Sequence, residues 1–286
     1  MIRFEQKLEA VLKAARTEGC PPLLAQAMHY AVFPGGARVR PRLLLAVAKA
    51  CGITDPGIAY SAAAAIELMH GASLVHDDLP CFDNADTRRG KPAVHKAFGE
   101  PLAVLAGDAL IVLAFEAIAQ GSMSAPERMV QLISILGDVV GSRGGIVAGQ
   151  AWEAEPKIDL LRYHQAKTGA LFAGATMAGA AAAGVPHAPW RKLGEKLGAA
   201  FQVADDVRDV AASPEEIGKP CGQDAALHRP NAAHDLGISG ALNLLDQMIG
   251  EAINLVPDCP AAAELRIQIR IEANSFLPEG LARRAA

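Results

Sequence analysis

The chain has 286 residues, of which 51% are apolar and 20% are charged, and this composition excludes an intrinsically disordered protein. The formal net charge of −4 is too small to indicate a nucleic-acid partner. The five cysteines are scattered and include no CxxC pair, and the N-terminus "MIRFEQKLEAVLKAAR" has no apolar signal core. We therefore expect a cytoplasmic protein without a disulfide framework.

Alanine and leucine recur at spacings of three and four residues, and alternating β-branched runs are almost absent, so the sequence predicts an all-α fold. The predicted helices are Phe4–Thr17, Pro21–Ala31, Pro41–Cys51, Gly57–Asp78, Glu100–Gly121, Ala125–Val140, Gly144–Glu153, Leu160–Ala183, Trp190–Val210, Pro214–Ile217, Ile238–Leu255 and Ala261–Phe276. No linker-like stretch interrupts them, so we expect a single domain, 1–286, built as a bundle of antiparallel helices. The uncharged stretch 168–186 is rich in alanine and glycine rather than leucine, which predicts a buried helix and no membrane span.

The first polar motif in chain order is "FPGGARVRPRL" at 33–43, which places Arg38, Arg40 and Arg42 after a glycine pair. An arginine can donate two parallel hydrogen bonds to a phosphate group. A single arginine of this kind is more often a surface charge, but three of them beside glycines indicate an anion site.

The helix predicted over 57–78 leads into "LVHDDLPCFDNADTRRGKP", which holds Asp77, Asp78, Asp83 and Asp86 within ten residues. Pro80 disfavours helix at the residue before it, so the first two aspartates lie at a helix C-terminus, where the helix dipole is already negative. Asp83 can fold back beside them. Carboxylates placed in this way cost free energy unless cations bind, and the arginine pair that follows supplies further positive charge.

A second acidic run, "FQVADDVRDV", follows at 201–210 and contains Asp205, Asp206 and Asp209. Spacings of three and four residues let all three carboxylates point into one space. Oxygen ligands without histidine or cysteine favour magnesium, which usually completes its shell with phosphate oxygens. One such run alone would be interpreted as a solvated helix end, but two runs inside apolar helices predict a polyphosphate bound between them.

A different interpretation of the first run is also open. His29, His76 and Asp77, with a later aspartate, could form the H…HD…D metal site of an all-α phosphohydrolase. That interpretation leaves the second acidic run and the arginines unexplained.

Taken together, the motifs resemble the trans-isoprenyl diphosphate synthases, the polyprenyl synthetase family. The resemblance runs through "GGARVRP", "HDDLPCFDNADTRRGKP", "KTGALF", "FQVADDVRDV" and "GKPCGQD", and it is strongest with the bacterial branch that serves carotenoid and photosynthetic-pigment pathways. It implies a helical bundle around a deep central cavity, a homodimer, and up to three magnesium ions. It also implies head-to-tail condensation of isopentenyl diphosphate with an allylic diphosphate (dimethylallyl, geranyl or farnesyl). Two other classes remain open, a non-catalytic partner subunit and a terpene cyclase.

The resemblance also implies roles for individual residues. The implied magnesium ligands are Asp77, Asp78, Asp83, Asp205, Asp206 and Asp209; the allylic diphosphate would be held by Arg88, Lys167 and Lys219; isopentenyl diphosphate would be held by Arg40, His70 and Arg89; and Lys167, Thr168 and Gln202 would act at the reacting carbon. Ala37 stands where the family usually has a lysine, and we expect Arg38 to compensate. Arg208 replaces a residue that is commonly apolar, and Arg229 in "HRPN" replaces a second "GK" motif.

Product length is expected to depend on the residues just before the first aspartate. Ala72 and Ser73 are both small, whereas relatives that stop at fifteen carbons often carry an aromatic residue there. A small residue lets the growing tail pass by about one more helical turn, or about 5 Å. The sequence therefore predicts geranylgeranyl diphosphate, with farnesyl diphosphate as the alternative. The floor of the cavity would be set by Met69, Leu68 or Phe115.

Overall fold

The computed structural model describes residues 1–33, 35–157, 159–211 and 231–277. The predicted all-α class is confirmed for these residues, which contain only one short β-hairpin, Thr87–Arg88 with Lys91–Pro92. The helices are α1 (Ile2–Ala14), α2 (Pro22–Val32), α3 (Val39–Ala50), α4 (Pro56–Asp77), α5 (Val94–Phe98), α6 (Glu100–Gly121), α7 (Pro126–Val140), α8 (Ile146–Ala151), α9 (Leu160–His164), α10 (Ala170–Ala183), α11 (Arg191–Ala211), α12 (Ala232–Asn254) and α13 (Ala262–Asn274). Short 3₁₀ turns lie at Trp152–Ala154 and Ala188–Trp190, and a π-helical turn, Gln165–Gly169, joins α9 to α10.

Helix α10 is the buried helix that the uncharged stretch predicts, since all of its residues except its last, Ala183, are buried. It packs against α3, α7 and α11. A Cβ atom at Gly179 would lie 2.5 Å from the carbonyl oxygen of Leu44 on α3, and one at Gly194 on α11 would lie 2.5 Å from that of Phe172. The two glycines therefore let α3 and α11 approach α10 to a distance that any side chain would forbid.

Two helices, α4 and α6, are long and apolar enough to cross a membrane by length and composition alone. The most apolar part of α4 is 78% buried in the protein, while that of α6 is 44% buried. A core helix of a soluble protein passes the same test. The partly exposed face of α6 carries Val104, Leu105 and Val112.

The hairpin at 87–92 was not predicted, because strands of two residues leave no alternating pattern in a sequence. Its two turn residues, Arg89 (φ 55°) and Gly90 (φ 72°), both have positive φ. Positive φ at both central residues is the geometry of a tight two-residue hairpin loop. The hairpin pairs Arg88 with Lys91 and holds the two arginines that follow the first acidic run in fixed positions.

Some helix boundaries differ from the prediction. The segment 232–236 adds a short helical piece that was not predicted, capped by the side chain of Asn231, which accepts from the backbone N–H groups of Ala233 and His234. Gly237 (φ 70°, ψ 163°) then breaks the helical geometry, so the long part of α12 begins at Ile238, as predicted. The helix predicted over 160–183 is interrupted by the π-helical turn. The helix predicted at 214–217 lies outside the described residues.

Candidate active site

One cavity of about 830 Å³ is lined by residues of both acidic runs. Asp77 and Asp83 reach it from the end of α4 and the loop that follows, and Asp205 and Asp209 reach it from α11. The two runs therefore border one space, although 128 positions separate Asp77 from Asp205.

The other two predicted ligands, Asp78 and Asp206, do not line this cavity. Asp78 is 2% exposed and accepts hydrogen bonds from Arg88 Nε, at 3.0 Å, and Nη2. Its burial raises its pKa, and the Arg88 guanidinium counteracts that shift. Asp206 is 6% exposed and accepts from the backbone N–H of Ala232 at 2.9 Å and from Gln202 Nε2 at 3.0 Å. The metal role predicted for Asp78 and Asp206 is therefore corrected: Asp78 anchors the hairpin, and Asp206 anchors the start of α12.

Lys167 links the first acidic run to a carboxylate that the sequence analysis missed. Its Nζ lies 3.2 Å from Asp77 Oδ1 and 2.7 Å from Glu153 Oε1. Glu153 also accepts from the hydroxyl of Tyr163 at 2.7 Å and from Gln150 Nε2 at 3.2 Å. Burial alone would lower the pKa of Lys167, but Asp77 and Glu153 raise it above its ordinary value. The ammonium group is therefore charged and fixed at the cavity surface.

The π-helical turn gives Lys167 and Thr168 their positions in the cavity wall. A Cβ atom at Gly149 on α8 would lie 2.4 Å from the backbone nitrogen of Lys167, so only glycine allows α8 to pack this closely. Thr168 Oγ1 donates to Gln202 Oε1 at 3.1 Å, and both side chains line the cavity. Single π turns inside α-helices are frequent at functional sites.

Arg40 and His70, predicted to hold the second diphosphate, both line the cavity and touch each other, with Arg40 Nη1 3.4 Å from His70 Nε2. Burial lowers the pKa of Arg40 to about 10, so the group is still protonated at neutral pH. Burial, and then the Arg40 charge, lower the pKa of His70 well below its ordinary value. His70 is therefore neutral and accepts through Nε2. The guanidinium of Arg40 stacks on Phe172, 4.7 Å from the ring centroid, and lies 5.7 Å from that of Phe201.

Arg88 and Arg89 occupy different places. Arg88 lines the main cavity while its guanidinium binds Asp78. Arg89 does not line the main cavity; it lines a small adjoining one and packs on the backbone of Gly36, where a Cβ atom would lie 3.2 Å from its Nε. Burial lowers the pKa of Arg89. Arg89 thus contacts the loop that precedes α3, the helix that carries Arg40.

Arg38, expected to compensate for Ala37, is turned away from the cavity, and that expectation is wrong. It is 7% exposed and forms ion pairs with Glu67 at 2.5 Å and with Glu5 at 3.0 Å. It also donates to the carbonyl oxygen of Val32 at 3.0 Å. A guanidinium that satisfies two carboxylates and a carbonyl holds the loop before α3 in place rather than binding a substrate.

The residues of the alternative H…HD…D site do not come together. His29 pairs with Glu9 at 3.1 Å, and His76 Nε2 contacts the carbonyl oxygen of Val104 at 3.2 Å. Within the described residues, no three His, Cys, Asp or Glu side chains form a ready-made metal site. The cavity aspartates, which come from two helices and a loop, offer only oxygen donors. That donor set fits magnesium, which keeps waters and takes phosphate oxygens instead of requiring a closed protein cage.

The predicted chain-length residues lie where they were expected. Ala72, Ser73 and Met69 line the cavity, and Ile111 on α6, which the sequence analysis missed, lines it as well. Leu68 and Phe115 do not line it, so their predicted part in the floor is corrected. Lys219 and Arg229 lie outside the described residues.

Comparisons with known proteins agree with this geometry. The family model described as polyprenyl synthetase matches residues 21–253. A geranylgeranyl diphosphate synthase of Rhodobacter capsulatus is 53% identical over 96% of this chain and 95% of that protein, and one of Cereibacter sphaeroides is 51% identical over 98% and 99%. The crystal structure of a Helicobacter pylori geranyltransferase complexed with magnesium and isoprenyl diphosphate has a TM-score of 0.78 and 30% identity, and covers 94% of this chain and 95% of that one.

Proposed function

The chain belongs to the polyprenyl synthetase family, and we propose that it is a prenyltransferase that condenses isopentenyl diphosphate with allylic diphosphates to give geranylgeranyl diphosphate. One observation carries the proposal: aspartates of two distant runs face one cavity that continues along α4 past the small residues Ala72 and Ser73. We take 1–286 as a single polyprenyl synthetase domain, since one continuous cluster of buried residues, from Phe4 to Leu277, joins the helices.

We assign Asp77, Asp83, Asp205 and Asp209 as the residues that would hold magnesium, with up to three ions per site. Bound magnesium would supply positive charge that stabilises the diphosphate as it leaves the allylic carbon. The chain's own contribution at this place is Lys167, whose fixed ammonium can donate directly to the same diphosphate. Lys219, outside the described residues, is proposed for the same role, as is Arg88.

Thr168 and Gln202 face the carbon at which positive charge develops. Because the Thr168 hydroxyl proton is used in the hydrogen bond to Gln202, its oxygen can present lone pairs to the cavity. Preorganised dipoles of this kind stabilise a developing charge without having to reorient during the reaction.

The second diphosphate, that of isopentenyl diphosphate, is assigned to Arg40, His70 and Arg89. The Nε of Arg40 is buried and has no hydrogen-bond partner among the described residues, which supports an incoming acceptor at this position. Neutral His70 accepts from Arg40 and so keeps the guanidinium in place. The double bond of isopentenyl diphosphate would then attack the allylic cation.

The protein is proposed to act as a homodimer in the cytoplasm. The exposed apolar side chains on α6, Val104, Leu105 and Val112, support a second copy as the partner for this face. On this proposal, α4 and α6 are packed helices of a soluble protein rather than membrane spans.

The proposal is tested by incubating purified protein with magnesium, isopentenyl diphosphate and dimethylallyl, geranyl or farnesyl diphosphate in turn, and measuring the chain length of the product. We expect twenty-carbon product, its loss when magnesium is chelated, and loss of most of the rate in Asp205→Ala. Asp246→Asn, at an exposed ion pair with Arg270, is the matched control and should keep the full rate. Release of phosphate without consumption of isopentenyl diphosphate would favour a hydrolase instead.

A further inference from the structure

Arg208 is the one cation within the second acidic run, 201–210, and it lies beside Asp205. It lies on α11 three residues after Asp205, and its Nη2 donates to Asp205 Oδ1 at 2.8 Å. Its side chain is 22% exposed, and its Nε is buried without a hydrogen-bond partner among the described residues. A buried guanidinium N–H that lacks an acceptor is costly, so this donor points to an acceptor that arrives with a ligand.

Arg208 and Arg40 lie against the same aromatic ring. The guanidinium carbon of Arg208 is 5.0 Å from the centroid of Phe201, and that of Arg40 is 5.7 Å from it. Because these two distances add to 10.7 Å, the two groups can be no further apart than that. Phe201 is itself held by edge contacts with Phe276 at 5.2 Å and by Phe172 at 5.3 Å. A fixed ring thus holds two arginines, each with an unpartnered buried Nε; Arg40 lines the main cavity, and Arg208 lies behind its lining, in contact with Phe201.

The other cations near the loop before α3 have different partners. Arg38 pairs with Glu67, and Arg42 pairs with Glu272 at 2.6 Å. Lys91 Nζ donates to a backbone carbonyl at 3.3 Å. Among the described residues of this region, Arg208 is therefore the cation besides Arg40 that combines an unused donor with a position beside Phe201.

We propose that Arg208 is a direct donor to the diphosphate of isopentenyl diphosphate, acting beside Arg40; this inference rests on the proposed function. Asp205 holds the guanidinium through one nitrogen, Nη2, and leaves Nε for the substrate. A donor at position 208 supplies the positive charge that Arg38 does not supply. The competing explanation is purely structural: Arg208 would only orient Asp205, a proposed magnesium ligand, and would then affect the allylic half of the site.

The test is the binding of isopentenyl diphosphate itself, measured by calorimetry with magnesium chelated and no allylic substrate present. Arg208→Leu keeps an apolar side chain against Phe201 but removes the charge. We expect its Kd for isopentenyl diphosphate to rise about 10- to 100-fold, as for the loss of a charged hydrogen bond. In turnover, KM for isopentenyl diphosphate should rise in parallel while KM for farnesyl diphosphate stays within about twofold.

A rescue variant separates charge supply from structure. Position 37 follows Gly36, which packs on Arg89, so Ala37→Lys brings an ammonium to the same region. We expect Arg208→Leu with Ala37→Lys to recover most of the lost affinity, and Arg208→Lys alone to lose less than Arg208→Leu. Arg191→Leu is the matched control, because Arg191 lies on the same helix as Arg208 but 17 residues, or about 25 Å, before it, and pairs with Asp138 of α7.

The possible results lead to different conclusions. If Arg208→Leu binds isopentenyl diphosphate within twofold of wild type, or raises only the magnesium requirement and the KM for farnesyl diphosphate, the inference is overturned and Arg208 is structural. If wild type itself neither binds isopentenyl diphosphate nor condenses it, the proposed function fails instead. Circular dichroism and the thermal midpoint of each variant identify misfolding; if Arg208→Leu misfolds, Arg208→Lys still decides the question through its Kd for isopentenyl diphosphate relative to wild type.

Discussion

Replacing Ala72 with phenylalanine should shorten the product from twenty carbons to fifteen or fewer. Ala72 is 1% exposed and lines the cavity five residues before Asp77, about 7.5 Å along α4 from the aspartate that would hold magnesium at the diphosphate. Met69, which also lines the cavity, is eight residues before Asp77, about 12 Å along the helix. One isoprene unit is about one helical turn long, so a ring at position 72 should meet the second or third unit of the growing chain.

The size of the effect follows from the cost of overpacking. Forcing another isoprene unit past a ring in a closely packed channel costs about 1–3 kcal/mol. At about 1.4 kcal/mol for each factor of ten, the last condensation should slow by about 5- to 150-fold. Earlier condensations, whose products are too short to reach the ring, should keep rates near those of wild type.

The assay is a chromatographic profile of labelled products after removal of the diphosphate, with dimethylallyl diphosphate as the starter. Ala63→Val, which adds volume to the buried part of α4 14 residues before Asp77, is the matched control and should lower stability without changing product length. An Ala72→Phe enzyme that makes twenty-carbon product at the wild-type rate would refute this account of chain-length control.

Three further predictions concern stability and metal binding. Arg38→Leu should lower the free energy of unfolding in urea by about 3–5 kcal/mol, because it leaves Glu67 buried and unpaired, and an unchanged midpoint would show that the pair is not structural. Burial above all lowers the pKa of His70, so at this residue only the unfolded chain gains a proton as the pH falls below about 6.5. The free energy of unfolding should therefore decline below that pH by up to about 1.4 kcal/mol per pH unit, and His70→Gln should abolish this decline. Parallel pH profiles of the wild type and His70→Gln would contradict this prediction. Asp83→Ala should raise the magnesium concentration needed for half-maximal rate with little loss of stability. Asp78→Asn should instead lower the free energy of unfolding by about 1–3 kcal/mol, because Asp78 binds Arg88 in the protein interior. The reverse pattern would argue against this division of roles.

The chemistry of the two acidic runs was enough to predict that they meet at one site, but helical spacing did not decide which aspartate of each adjacent pair faces the cavity. Asp77 and Asp205 face it, while their neighbours Asp78 and Asp206 are buried. The difference arises from partners distant in sequence: Asp78 binds Arg88 through a hairpin too short to predict, and Asp206 accepts from the first turn of α12. A pattern of helical repeats contains no information about such partners.

The π-helical turn and Glu153 were missed for a related reason. The apolar spacing runs unbroken from 160 to 183, and nothing in it marks an inserted residue. The close approach that shapes this region is between Gly149 and the backbone of Lys167, a contact between two helices. Likewise, Glu153 looks like any acidic residue at a helix end until Lys167 and Tyr163 are seen bound to it.

The repulsion among the aspartates is relieved by cations of the chain itself. Lys167 lies at Asp77 in the first run, and Arg208 lies at Asp205 in the second. On the proposed function, magnesium ions that arrive with the substrate would replace these cations at the aspartates, so the carboxylates are paired both before and after binding. Lys167 is also held by Glu153, so it can leave Asp77 and still remain at the cavity surface, where a diphosphate can bind it. Glu153 thus has a physical reason to sit beside Lys167 even though it does not line the cavity.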